Sequence, residues 1–148
     1  MVYQWKTGSR HKVSAAVAAE VMDQLAEEER LNPTELVEVS RPDDAPLHSE
    51  FEWDNNVAAE KWREEQASAM IRHLVVRIDA NGQEYPTRQY FMVQREANTY
   101  EPIQVILRNE DKTAMLLEQA KRELKAFKAK YAGLKELAAV IHAIDSLA

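Results

Sequence analysis

The stretch LVVRIDANGQEYPTRQYFMVQ, residues 74–94, decides the fold class. Leu74-Val75-Val76-Arg77-Ile78 is β-branched, and Asn81-Gly82 is the dipeptide favoured by two-residue hairpin turns. Arg88–Gln94 is aromatic and again suited to a strand. The stretch predicts a short β-hairpin over about 74–95 in a chain that otherwise reads as helical. Pro86 has no N–H to give a ladder, so the second strand begins late or lies at a sheet edge.

Upstream, Ala58, Ala59, Trp62, Gln66, Ala69, Met70 and Leu74 share one side of a helical wheel over about 55–73, with Asp54 as its cap. Glu60, Lys61, Glu64, Glu65, Ser68 and Arg72 take the other side. Asn32-Pro33-Thr34-Glu35 is a helix start: Asn32 caps, Pro33 takes the first helical position, and Glu35 reaches back. Arg41-Pro42 ends that helix. Ser14 caps a first helix over about 15–30, with Val17, Val21 and Leu25 on one face. The tract RPDDAPLHSEFEWD, residues 41–54, carries Leu47, Phe51 and Trp53 and is too apolar for a free linker. It reads as an ordered loop.

Downstream, Tyr100-Glu101-Pro102 leads into a helical piece over about 103–108, and Asp111 caps the longest element. Leu117, Ala120, Leu124, Phe127, Tyr131, Leu134, Ala138 and Ile141 alternate at three and four, a heptad-like seam. Gly133 predicts a break or bend near Ala132-Gly133. The expected architecture is α+β and mostly helical. It has three N-terminal helices, a short hairpin and a long C-terminal helix or helix pair, in winged-helix-like order. A basic arm over 1–13 precedes a single domain over 14–148.

Charge divides the chain. Residues 14–65 hold fifteen Asp and Glu against Arg30, Arg41, Lys61 and Arg63, while the thirteen residues before them carry Lys6, Arg10 and Lys12 and no acid. There is no cysteine, which excludes disulfides, thiolate metal sites and thiol catalysis. No apolar run approaches the ~18–20 residues of a membrane span. The N-terminal MVYQWKTGSRHK lacks the apolar core of a secretory signal. A soluble, intracellular protein with no membrane contact is expected.

No Gly-rich phosphate loop, nucleophile elbow or His-Glu-x-x-His run occurs, and His11, His48, His73 and His142 are scattered. No catalytic residue, cofactor or metal is assigned. His48, Glu50, Glu52 and Asp54 alternate as ligands on an extended strand would. The interleaved Leu47, Phe51 and Trp53 favour a loop held to the core by its apolar side, with its polar side solvated. Trp53 and Trp62 read as core.

In the winged-helix order the third helix would read DNA, but Glu60, Glu64 and Glu65 against Lys61 and Arg72 repel phosphate. The connection before it exceeds that of a simple helix-turn-helix. Contact with nucleic acid would instead use Lys6, Arg10 and Lys12 or the hairpin's Arg77, Arg88 and Arg95. Contact with protein would use Trp5, in an arm without an obvious core role, and the acidic Asp43, Asp44, Glu50 and Glu52. The C-terminal seam, flanked by Lys121, Arg122, Lys125, Lys128 and Lys130, serves either self-association or packing within one chain.

The strings PDDAPLHSEFEWDNNVAAEKWREEQASAMIRHLVV and LLEQAKRELKAFKAKYAGLKELAAVIHAI resemble parts of small uncharacterised proteins encoded by tailed phages and prophages. The resemblance covers about residues 5–145. It is most specific at Pro-Leu-His…Phe-Glu-Trp-Asp followed by Ala-Ala-Glu-Lys-Trp-Arg. It transfers no activity and no site residue. It implies a non-enzymatic accessory or virion-associated protein acting by protein–protein contact or self-assembly. The alternatives are a winged-helix-like DNA-binding regulator and an acidic, DNA-mimicking inhibitor of a host protein.

Overall fold

The computed structural model describes residues 1–55 and 57–147, the side chains of Val57, Ala58 and Ala80 excepted. The expected place of Ala58 in an apolar stripe thus lies outside the described residues. Ser14 accepts from the Val17 amide (3.3 Å) and starts α1, Ala15–Glu27. The helix stops at Glu27 rather than near 30 because Glu29 turns left-handed (φ 57°). The amides of Glu29 and Arg30 then close on the carbonyls of Ala26 (3.0 Å) and Leu25 (2.8 Å), as at a Schellman end. The buried face is Ala15, Ala18, Ala19, Met22 and Leu25, so it is rotated from the expected one and Val17 is exposed.

Asn32 accepts from the Glu35 amide (2.9 Å) and Pro33 opens α2, Pro33–Ser40, as its start signal predicts. The Glu35 carboxylate does not reach back; it pairs with Arg30 at 2.6 Å. After one 3₁₀ turn at His48–Glu50 comes α3, Val57–His73. Asp54 therefore stands outside the helix it was expected to cap.

A hairpin forms in the expected stretch, but its second strand is Gln83–Arg88, running through Pro86, and not the expected Arg88–Gln94, because the two-residue turn sets Gln83 directly opposite Ala80. β2 (Leu74–Ala80) and β3 (Gln83–Arg88) pair antiparallel around Asn81 (φ 56°) and Gly82 (φ 80°), two left-handed residues that a type I′ turn requires. β1, Tyr3–Trp5, adds to the other side of β2 with Tyr3 opposite Val76, so part of the expected basic arm is an edge strand. The order β1-β2-β3 leaves β3, with Pro86, at an edge. β4 (Tyr90–Phe91) pairs with β5 (Glu101–Pro102), and α4 is Ile103–Leu107.

The contacts divide the chain into two units, Met1–Val105 and Ile106–Ala148. In the first, Met22, Leu25, Leu31, Leu36, Leu47, Phe51, Met70, Ile71, Leu74 and Tyr90 form one core. Asp23 accepts from the phenols of Tyr3 (3.1 Å) and Tyr90 (2.7 Å), tying α1 to β1 and β4. Burial, then the Asp23 carboxylate, push Tyr3 up to about 12; burial and the Asp23 bond push Tyr90 well above the phenol range. We expect Tyr90→Phe to cost about 1.5–3 kcal/mol in urea denaturation, the worth of a hydrogen bond to a charged acceptor. A loss below about 0.5 kcal/mol would show that Asp23 does not depend on it.

In the second unit the helix cap is Asn109, which accepts from the Lys112 amide (3.0 Å), not Asp111. Glu110 and Asp111 lie in the first turn, where the helix dipole favours acids. α5 runs Glu110–Tyr131, a 3₁₀ turn spans Lys135–Leu137, and α6 is Ala138–Asp145. The C-terminus is thus a helix pair broken at Ala132-Gly133. Lys128 pairs with Asp145 across it, and the rings of Phe127 and Tyr131 lie 5.0 Å apart. No described helix is long and apolar enough to cross a membrane.

Candidate functional site

The tract 41–54 is a clip rather than a free acidic surface. Leu47 and Phe51 enter the core, and the His48 ring stacks on Trp53 at 4.8 Å. The Trp53 indole donates to the His48 carbonyl (2.7 Å). Arg63, from α3, covers the other side of the pattern. Its guanidinium lies 4.9 Å from the Trp53 ring, donates to the carbonyls of Glu52 and Asp54, and pairs with Glu60 (2.8 Å). Arg63 is 2 % exposed and Trp62 is 58 % exposed, so Arg63 takes the place in the buried stripe expected of Trp62, while Ala59, Met70 and Leu74 are buried as expected. The buried face of α3 is Ala59, Arg63, Ala67, Met70, Ile71 and Leu74. An arginine in phase with alanines and Met70 was the available signal. Trp53, half-buried against the core, is placed as read.

His48, Glu50, Glu52 and Asp54 do not line up, because the 3₁₀ turn breaks the alternation. The His48 Nδ1 meets the Ser40 carbonyl at 3.0 Å. Glu50 is buried, and one carboxylate oxygen accepts from the amides of Lys12 and Val13 (2.7 Å for Val13). It is thus a fastening for the N-terminal segment, not an exposed contact residue. Asp43, Asp44 and Glu52 are exposed. Glu28 and Glu35 pair with Arg30, and Glu38 and Glu60 with Arg41, which interrupts the acidic face that mimicry of DNA would use. Among the described residues no group of three His, Asp or Glu is placed to hold a metal ion.

Trp5 has a core role after all. Its indole N–H donates to the Val13 carbonyl (2.8 Å), and its ring stacks on His11 at 3.8 Å. From there a chain of polar groups runs inward and outward. The second Glu50 oxygen meets His11 Nδ1 at 3.3 Å, and His11 Nε2 meets His73 Nδ1 at 2.9 Å. With Glu50 accepting the His11 Nδ1 proton, His11 Nε2 accepts from His73 Nδ1–H. Nε2 of His73 is then the nitrogen this chain of bonds leaves unused.

His73 lines a cleft of 490 Å³ together with Lys6, Thr7, Arg72 and Arg88. Burial, then His11, Arg72, Lys6 and Arg88, hold its pKa below the usual histidine value. Of the six cations expected to meet nucleic acid, Lys6 and Arg88 come together here. Arg10 lines a smaller cavity of 140 Å³ that His73 also borders. Lys12 is exposed, Arg77 donates to Gln4 (3.4 Å), and Arg95 is exposed in a 3₁₀ turn. Arg72 and His73 were not singled out from sequence; adjacent basic residues at a helix end were their only mark.

The lowered His73 value has a sign. The unfolded chain binds this proton more tightly than the folded one, so stability falls as pH drops through about 6.5 toward the folded value. We expect a melting temperature that declines over that window, with the His73 part of the decline absent in His73→Gln. An equal decline in the variant would remove His73 from the account.

Comparison with family models, curated proteins and solved structures found no match. The site is therefore read from its own chemistry.

The third candidate surface is α5. None of its residues is buried, and Leu117 (52 %) and Leu124 (36 %) stand exposed on the expected seam. Ala120 is exposed as well, and Phe127 and Tyr131 are half-buried. The seam keeps one helical phase only as far as Tyr131, since Leu134 falls beyond the helix end.

Proposed function

We propose that this is a non-enzymatic accessory or virion-associated protein of a tailed phage or prophage. It works by self-association, the seam of α5 docking on the same seam of a second copy. The observation that carries the reading is a 22-residue helix with no buried residue and an apolar seam at three-and-four spacing. Among the described residues of the second unit only Ile106 and Ile144 are buried. A unit of this size seldom stands on its own core and usually gains its stability from association. A seam of this period matches another helix of the same kind, and closed pairing of identical chains is the commonest way to cover one. The resemblance to phage proteins supports the accessory role, in the host cytoplasm or the virion.

Hydrogen exchange at two protein concentrations tests the pairing. Amides of α5 are expected to exchange more slowly at high concentration, while those of α1 and α3 keep one rate. Equal rates in α5 across a hundredfold range of concentration would count against it.

A further inference from the structure

Three cations from three elements meet at the cleft beside the sheet. Lys6 follows β1, Arg72 lies in the last turn of α3, and Arg88 ends β3. No carboxylate lines the cleft, in a chain whose net charge is −6. The Arg72 guanidinium donates to Ser68 (2.8 Å), and the Arg88 guanidinium to the Tyr90 carbonyl (2.9 Å) while resting 5.2 Å from the Phe91 ring. Among the described residues neither Lys6 nor Arg72 pairs with a carboxylate. The Lys6 amide donates to the His73 carbonyl (2.7 Å), which fixes the turn carrying Lys6 to the start of β2. The two guanidinium groups and the backbone of Lys6 are therefore held in place before any ligand arrives. Lys6 and Arg72 carry like charge at one concavity and repel, and an anion seated between them removes that cost.

We propose that this cleft binds a phosphate ester, with Lys6, Arg72 and Arg88 as its charge contacts and His73 as a neighbouring donor. Two guanidinium groups favour phosphate, whose oxygens match their planar donors. The volume of 490 Å³ fits a nucleotide-sized group better than a bare ion. Such a group comes either from a free phosphorylated small molecule or from a single-stranded nucleic acid.

Charge at His73 couples to binding. The groups facing it are His11 with Glu50 behind, Arg72 on its own helix, Lys6 after β1, and Arg88 on β3; Arg10 lines the neighbouring cavity. His11, Arg72, Lys6 and Arg88 disfavour a proton on His73, and a bound phosphate anion opposes them. Binding near pH 7 therefore takes up a proton.

Isothermal titration of the full chain at low salt, with a nucleoside diphosphate and separately with an oligothymidylate, tests the site. At least one probe is expected to bind. Lys6→Gln and Arg72→Gln should each weaken it at least tenfold, while Arg122→Gln on α5 leaves it unchanged. Heats in buffers of different ionisation enthalpy should show proton uptake that His73→Gln abolishes. Binding of the diphosphate alone assigns a small phosphorylated ligand, and binding of the oligonucleotide alone assigns a phosphodiester; either supports the site. No binding of either probe at millimolar concentration overturns it. So does equal weakening by Arg122→Gln, with thermal melts showing all variants folded.

Discussion

Arg63→Ala is expected to destabilise the N-terminal unit by about 3–5 kcal/mol, the summed cost of carbonyls losing a charged donor and of the space left beside Trp53. Arg63 is fully inside, yet its charged tip meets backbone carbonyls there. Its guanidinium bonds the carbonyls of Glu52 and Asp54 and packs on Trp53. Alanine leaves those carbonyls without their donor and opens a space beside the ring. The pairs Arg41–Glu60 (2.5 Å) and Trp53–His48 (2.7 Å) remain, so the tract 41–54 loosens without leaving the core. Such a loss is a large part of the stability a domain usually has, roughly 5–15 kcal/mol. Urea denaturation measures it. Arg63→Met keeps most of the volume and should recover part of the loss, because packing returns while the hydrogen bonds do not. A change below about 1 kcal/mol for the alanine variant would mean that Arg63 does not hold the clip.

The second large effect lies in the C-terminal unit. Leu117→Lys with Leu124→Lys is expected to weaken self-association at least a hundredfold. The two leucines sit two turns apart on one face of α5 and both are exposed in the single chain. Burying a leucine contributes about 1.5–3 kcal/mol, and a twofold interface uses each residue twice. Putting a charge on the seam adds the cost of burying it unpaired. Lys125→Gln, off the seam, is the control and should change little. Sedimentation velocity reads both. If the double variant associates as the wild type does, the seam is not the interface.

The hairpin was legible because its turn is chemistry: few residues tolerate the two left-handed positions that Asn81 and Gly82 fill. The start of α2 was legible for the same reason, as Asn32 and Pro33 act within one turn of chain. Buried faces were harder. The wheel put Trp62 inside and gave Arg63 no place on the buried face, because it weighs apolar side chains alone. The structure decides instead by what each tip can reach, and Arg63 meets carbonyls of a loop that only the fold brings near. In α1 small alanines occupy the buried face and bulky Val17 does not, a matter of close approach that periodicity does not weigh. The site was the least legible part. Lys6, His11, Glu50, Arg72, His73 and Arg88 come from five separate segments, and pairing of β1 with β2 is what gathers them. No short-range pattern announces a strand of three residues in a basic segment. Glu50 misled as an acid on a surface, when its partners are the backbone amides of Lys12 and Val13.

The mass of the full chain in solution tests the central claim most directly. Light scattering over a concentration series should give a mass of at least twice 17.0 kDa at the upper end. Because the pairing surface is apolar, that mass should hold when ionic strength rises from about 0.1 to 1 M, where charge contacts are screened. A mass of 17.0 kDa at every concentration would contradict self-association through α5.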